Sequence, residues 1–441
     1  MSYDPLVSSG VTPDMPHPPS YWQDTCKKTD SLSLEGPVNT DTLVIGAGYT
    51  GLSAALELAD AGVATTLLDA HEPGFGCAGR NGGFVLSGTG RLSVAAIEKT
   101  WGMDIAQGMK DEFDAAVSLL LSRIRSADIQ CDLSAGPYYK IAHTPRQAAR
   151  MREALTHMKS KYKADGEFLS AAMLCEELQV HSAYGAVKTQ GHALHPLKLA
   201  TALVSLIKNA GVQVFHRSPA LSIQKITNGY CVRTPEGEVR AKHLLLATNA
   251  YSPATFHRQI DKKHFPVQSS ILVTAPLTPQ QQALTGLNKP MTMMDTRLMK
   301  YYYRVLPDGR LLFGGRGAVT GQHADSQASR NRLYNGMCGA FPALKGIRQA
   351  YFWSGWVSVS LDNLPRIRYH ADDSCGYAMG YCGSGVSFSA LAGKRLAQLR
   401  LGQKVPQSLP LYADDLKQFP LASLRRAALF AMYTYAALTN S

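Results

Sequence analysis

Residues 41–51 read Asp41-Thr42-Leu43-Val44-Ile45-Gly46-Ala47-Gly48-Tyr49-Thr50-Gly51. Thr42–Ile45 is a short apolar strand, and Thr50–Ala61 carries apolar residues at helical spacing and is closed by Gly62. Val63–Leu68 is a second strand that ends at Asp69. Strand, helix and strand in this order imply a β-α-β unit and a parallel sheet. In that context the glycines carry chemistry. Gly46 permits a tight turn, Gly48 lets the backbone approach a pyrophosphate, and Gly51 lets helix and strand pack closely. The phosphates are expected at the positive end of the helix, beside Tyr49 and Thr50. Asp69, followed by Ala70, lies 23 positions after Gly46, where a carboxylate accepts hydrogen bonds from ribose hydroxyls. A carboxylate there disfavours a 2′-phosphate, so FAD or NAD fits better than NADP.

Further glycine structure favours the flavin. Gly74-Phe75-Gly76-Cys77-Ala78-Gly79-Arg80-Asn81-Gly82-Gly83 follows the second strand directly. Ala247-Thr248-Asn249-Ala250 follows a late strand, and Gly380-Tyr381-Cys382-Gly383-Ser384-Gly385-Val386 lies between the last strand and the last helix. Each is a place where backbone can come close to something flat or charged. The last loop aims a helix N-terminus at an electron-rich edge, which suits a flavin pyrimidine that gains negative charge on reduction.

The remainder bounds the answer. The chain has 441 residues, 45% hydrophobic and 18% charged, which excludes a disordered chain and leaves room for two or three domains. A net charge of +12 favours anionic partners, but the basic residues are dispersed and form no nucleic-acid-binding run. The eight cysteines form no CxxC pair, and the histidines show no HxH or HExxH spacing, so no metal is expected. The N-terminus is Pro- and Ser-rich with no apolar signal core, and no apolar run is long enough to span a membrane, so a cytoplasmic location is expected. Helical patterns cover Ala95–Ala127, Pro145–Lys161, Leu197–Ala210, Ser387–Leu401 and Ala427–Leu438. Strand patterns cover Val212–His216, Glu238–Ala247, much of Phe265–Gly315 and Gly376–Tyr381. Tyr21 and Trp22 are expected to anchor an N-terminal arm by packing on the body.

The chain resembles the D-amino-acid-oxidase-like flavoprotein amine oxidases, and within them the γ-glutamylputrescine oxidase group. The resemblance is carried by Ser20–Thr25, Gly46–Gly51, Ala78–Gly83, Ala247–Tyr251, Leu306–Arg316, the Trp356, Asp362, Leu364 and Pro365 stretch, and Gly380–Val386. It implies an α/β fold: a Rossmann-like FAD-binding domain of the D-amino-acid-oxidase/glutathione-reductase-2 type, with a second substrate domain built on a mixed β-sheet. The implied FAD domain is discontinuous, from 37–100, 185–255 and 352–405. The substrate domain comes from 101–184 and 256–351, between an extended arm at 1–36 and a helical tail at 406–441. Cofactor contacts are implied for the four loop stretches already named, for Asp69 and Ala70, and for Val214 at the adenine. The chain has Ser384 where the family often carries His. Some relatives attach flavin covalently through a Cys near Trp356–Pro365, where this chain has Ser358 and Ser360 instead, so non-covalent FAD is expected.

The chemistry implied is oxidation of a C–N bond in an amine or amino-acid-like substrate, such as a γ-glutamyl amine. A hydride passes to flavin N5, the imine hydrolyses, and O2 is reduced to H2O2. Lys300 is a candidate for the positive charge that assists oxygen, and Tyr302 and Trp356 for the reacting centre. Tyr303, Trp353 and Arg316 are candidates for substrate contact, with Tyr301, Arg304 and Arg310 beside them. Alternation along a strand turns Tyr302 away from Tyr301 and Tyr303, so at most one face is active. Two other readings stand: a dehydrogenase passing electrons to a quinone or protein at the membrane, touching it with Arg425, Arg426 and the apolar tail, and a flavin-dependent nucleic-acid-modifying or non-catalytic flavin-binding protein.

Overall fold

The computed structural model describes residues 3–27 and 31–439. The remaining parts of the expected arm and tail, residues 1–2, 28–30 and 440–441, lie outside the described residues. Two large sheets organise the rest. In the first, the strands run 366–370, 375–379, 237–246, 36–45, 65–68 and 213–215, and a hairpin from 222–226 and 229–233 joins onto 237–246. From 375–379 to 213–215 all neighbours are parallel, with Val44 opposite Leu67 on one side and Leu245 on the other. Successive residues face opposite sides of a strand. Val44, Leu67 and Leu245 therefore pack beneath the helices, while Leu43, Ile45, Leu68, Leu244 and Leu246 pack toward Tyr230 and Val232 of the hairpin.

The helices Tyr49–Asp60, Pro196–Asn209 and Gly385–Arg400 cover the first of these faces. The expected helical stretch 95–127 is two helices, Val94–Trp101 and Met103–Ser126, because Gly102 adopts φ +88° and turns the chain between them. The longer of the two packs on the same core through Met109, Phe113 and Leu120. It thus sits with the first sheet, although the expected boundaries put it in the second unit.

The second sheet runs 349–359, 265–276, 310–316, 302–305, 292–295, 134–141, 186–193 and 84–85, with 167–169 beside 186–193. Its strands 84–85, 186–193 and most of 349–359 come from segments expected in the first unit. The helix Gln327–Ala340 covers its outer face over a core of Tyr139, Met293, Tyr303, Phe313 and Phe341. No helix among the described residues is long and apolar enough to cross a membrane.

Trp22 joins the two sheets. It is 1% exposed, packs with Ile271, Leu312 and Trp353, and donates its indole N–H to the Asn81 carbonyl at 3.0 Å. Trp353 donates to the neighbouring Arg80 carbonyl at 2.9 Å. Trp22→Ala leaves a large cavity and an unpaired carbonyl, a cost of about 3–5 kcal/mol. A clear drop in melting temperature is expected; an unchanged melting temperature would contradict this packing role.

Candidate functional site

The site begins where the strand 36–45 stops. Gly46 has φ +109°, and a Cβ on Gly51 would lie 1.9 Å from the Gly46 carbonyl oxygen, so only glycine lets the helix start this close to the strand. Gly48, between them, faces open space. The helix Tyr49–Asp60 has no side-chain cap at its N-terminus, and neither has Gly385–Arg400. Both N-termini line one cavity of about 460 Å³. They are held together by close contact. Ser53 donates to the Ala390 carbonyl at 2.6 Å, the Thr50 and Tyr381 hydroxyls meet at 2.7 Å, and a Cβ on Gly393 would lie 2.4 Å from the Thr50 carbonyl oxygen. Each uncapped N-terminus presents unpaired N–H groups and about half a positive charge.

Asp69 is the only carboxylate on the cavity wall among the described residues. Its Oδ2 accepts from the Ala47 N–H at 2.6 Å and its Oδ1 from the His71 N–H at 3.0 Å. Burial pushes its pKa up to about 6, with the backbone N–H groups pulling the other way. The Ser358 hydroxyl, on the same wall and 1% exposed, has no hydrogen-bond partner among the described residues. Two uncapped helix ends, a ribose-type carboxylate and an orphaned hydroxyl fit a long, anionic, hydroxyl-bearing ligand.

Of the residues expected at the cofactor, the cavity brings together Gly46, Gly48, Tyr49, Thr50, Asp69, Ala70, Gly76, Cys77, Ala78, Asn81, Ala247, Thr248, Asn249, Gly383, Gly385 and Val386. Gly51, Gly82 and Gly83 stand behind the wall as close-packing positions. Arg80 is spent on its own loop: its guanidinium donates to the Phe75 carbonyl at 2.6 Å and the Ser354 carbonyl at 3.1 Å and stacks over the Phe75 ring. Val214 lies in the core, and the wall beyond its strand is made by Ser218–Ile223. The Gly380 N–H is held by the Asn249 side chain, and the Ser384 hydroxyl by the Tyr381 carbonyl. Ser9–Thr12 and Ser218–Ile223 complete the wall. Sequence reasoning missed both. The second follows a recognisable strand, whereas the first has no motif.

The residues expected at the substrate divide. Tyr303 is stacked on Phe313 and edge-on to Phe341, inside the core of the second sheet. Trp353 is likewise fully buried, and Trp356 packs under the arm with its indole N–H on the Tyr3 carbonyl at 2.9 Å. These three indole and phenol rings are packing groups, because the strands that carry them turn them into closed layers. Arg304 is buried and donates to the Leu194 carbonyl, and Arg310 pairs with Asp308. Tyr302 is on the other face. It lies edge-on to Phe84, and its hydroxyl meets Ser269 at 2.9 Å.

Lys300, Arg91 and Arg316 gather on that side. Burial first, then the charges of Lys140, Arg91 and Arg316, hold Lys300 down to about 8. Arg91 is lowered by burial and by Arg316, and faces Cys382 and Tyr433. None of Lys300, Arg91 and Arg316 forms an ion pair among the described residues: the nearby Asp295 is engaged by Arg297. The terminal helix Arg425–Thr439 roofs this region, with Leu429, Met432 and Tyr433 packed on Val267, Val359 and Cys382. The Tyr433 hydroxyl is buried without a hydrogen-bond partner among the described residues.

The FAD dependent oxidoreductase (DAO) family matches residues 41–399, and the chain belongs to that family. It is 31% identical over 389 residues to the gamma-glutamylputrescine oxidoreductase of Escherichia coli strain K12, covering 88% of this chain and 89% of the relative. Its fold is similar to that of glycine oxidase from Geobacillus kaustophilus, with TM-score 0.73, 17% identity, 87% of this chain and 100% of that one. It is also similar to FAD-bound L-α-glycerophosphate oxidase from Mycoplasma pneumoniae, with TM-score 0.67, 16% identity, 83% of this chain and 97% of that one. The protein is an FAD-dependent oxidoreductase.

Cys77, on the cavity wall, donates its thiol to the Trp356 carbonyl at 2.6 Å, and burial pushes its pKa up to about 12. Cys382 is buried and also raised. Both should resist iodoacetamide at pH 8 while exposed Cys175 is alkylated, because the thiolate is the nucleophile. Peptide mass spectrometry checks this; early labelling of Cys77 would contradict it.

Proposed function

We propose that this chain oxidises the C–N bond of an amine bearing a carboxylate at its far end, such as a γ-glutamyl amine, with non-covalent FAD and O2 as acceptor. The observation that carries this reading is the set Arg91, Arg316 and Lys300, without an ion-pair partner among the described residues, beside the Cys77 and Cys382 loops. Half-buried like charges without counterions are costly, and an anionic ligand relieves them. The name of the Escherichia coli relative points to the same substrate chemistry.

The chemistry supplied by bound FAD is acceptance of a hydride at N5 and return of the electron pair to O2 as H2O2. The glycine loops and both helix N-termini would hold it, with Asp69 on a ribose. This chain's own residues bind and orient. Arg91 and Arg316 take the carboxylate, and the buried Tyr433 hydroxyl is placed to donate to it. The positive field favours the neutral amine, the form that gives up hydride, and assists oxygen reduction. Tyr302, fixed by Ser269 and Phe84, lies within electrostatic reach of both Arg316 and Cys77. The imine left behind hydrolyses to a carbonyl compound and an amine. Burial raises the Cys77 and Cys382 thiols, which supports non-covalent attachment, and the reading puts the enzyme in the cytoplasm.

The membrane-dehydrogenase reading keeps one supporting observation, the exposed Phe430 and Leu438 on the outer face of the terminal helix. It loses another, because both arginines expected at the membrane turn inward, Arg425 to the His264 carbonyl and Arg426 to Asp4. Slow reoxidation in air would favour it.

Arg91→Ala and Arg316→Ala are each expected to raise KM for γ-glutamylputrescine by roughly ten- to a hundredfold, the worth of a charge-assisted hydrogen bond. Turnover of an uncharged secondary amine should change little, and H2O2 assays with both substrates decide it. Equal losses on both substrates would remove the carboxylate assignment. Lys300 is a cation below its pKa of about 8 and neutral above it. KM for the carboxylate-bearing amine should therefore rise above pH 8, and Lys300→Met should flatten that rise.

Asp69 makes the cofactor itself pH-dependent. Its pKa is raised, so the apoprotein takes up a proton as pH falls through about 6 and loses the anionic acceptor. FAD is expected to bind apoprotein more weakly below pH 6, and Asp69→Asn to bind weakly at every pH. A fluorescence titration in which wild-type affinity is flat from pH 5 to 8 would contradict this role.

A further inference from the structure

Two segments lie outside the matched residues 41–399, the N-terminal arm and the terminal helix, and one carboxylate ties them together. Asp4 is buried. Its Oδ2 accepts from the Gly321 N–H at 2.8 Å, and its Oδ1 takes the Arg426 guanidinium of the terminal helix. Next to it, the Tyr3 phenol donates to the Tyr251 carbonyl at 2.8 Å and stacks on that residue's ring at 5.8 Å. The Tyr3 carbonyl accepts from the Trp356 indole.

A second anchor lies at Met15, whose carbonyl accepts from His71 Nε2 at 2.7 Å. The Glu72 N–H donates to His71 Nδ1, so the ring is neutral with its proton on Nε2. Burial lowers the His71 pKa to about 4, which keeps Nδ1 unprotonated and able to accept from Glu72 across the neutral range. Between the anchors, Val11 is buried against Phe75 and Trp356, and Gly10 lies over Pro253. Ser9–Thr12 then face the same cavity as Gly46–Gly48, Asp69 and Asn249.

We propose that Ser9–Thr12 form the outer wall of the FAD site, and that the Asp4 contacts to Arg426 and Gly321 latch this wall and set how fast the cofactor leaves. The arm is pinned at both ends while its middle touches the cavity, so the cofactor is enclosed by a segment the family match does not contain. Opening requires the Asp4 end to release from the terminal helix. The terminal helix thereby has two duties, roofing the cation cluster and holding the arm shut.

The test uses purified holoenzyme diluted into FAD-free buffer, with release followed by the rise in flavin fluorescence. Asp4→Ala and Arg426→Ala cut the latch from its two sides, and each is expected to speed release about tenfold, the worth of a charge-assisted hydrogen bond. The double variant should release no faster than Asp4→Ala, because both remove the same contact. Melting followed by far-UV circular dichroism in saturating FAD should stay at the wild-type value, separating the latch from general stability. Release rates matching wild type in both single variants would overturn the proposal. A wild-type protein that carries and takes up no FAD would instead fail the cofactor assignment, and the latch with it.

Discussion

The structure depends on one tight contact, the crossing of the helices Tyr49–Asp60 and Gly385–Arg400, where the Gly393 backbone presses on the Thr50 carbonyl. Glycine at 393 allows a separation that no side chain would permit. Ser53 and the Thr50–Tyr381 hydroxyl pair lock it with hydrogen bonds. The consequence is electrostatic. Two positive helix ends, far apart in sequence, are forced into one cavity with a single carboxylate among the described residues, Asp69, on its wall. Such a cavity stabilises negative charge along its length, which is what a pyrophosphate at one end and a reduced flavin at the other present.

The loops around the cavity are built to keep that arrangement rigid. Arg80 is drawn into the 74–83 loop by carbonyls and an aromatic face, and Trp22 from the N-terminal arm and Trp353 from the second sheet clamp the same loop. The chain thus uses large buried aromatics to fix the backbone and leaves glycines to meet the ligand. The second sheet contributes a contrasting surface. Its face toward Cys77 and Cys382 carries cations that find no carboxylate among the described residues, and the terminal helix closes over them.

Legibility followed locality. The Gly46–Gly51 turn was readable because its constraint is a short-range clash between a Cβ at 51 and the carbonyl at 46. The break at Gly102 was not, since apolar spacing runs through it and only the backbone dihedral reveals it. For the aromatics, alternation showed that Tyr302 and Tyr303 oppose each other, yet nothing local told which face meets the cavity and which meets Phe313 and Phe341. Trp353 and Trp356 carry the same ambiguity, because a residue that suits an amine pocket suits a core equally well. The arm was invisible as a site: Val11 packs on Trp356, and Asp4 meets Gly321 and Arg426, all hundreds of positions away.

The central claim is that the cavity holds FAD and that the adjoining cation cluster presents a carboxylate-bearing amine to it. Anaerobic titration of the purified protein with γ-glutamylputrescine, watched through the visible flavin band, tests both halves together. Stoichiometric bleaching, reversed on admitting air, is the result this account requires. A flavin band untouched by this amine would contradict the substrate reading, and a protein with no flavin band after incubation with FAD would contradict the account at its root.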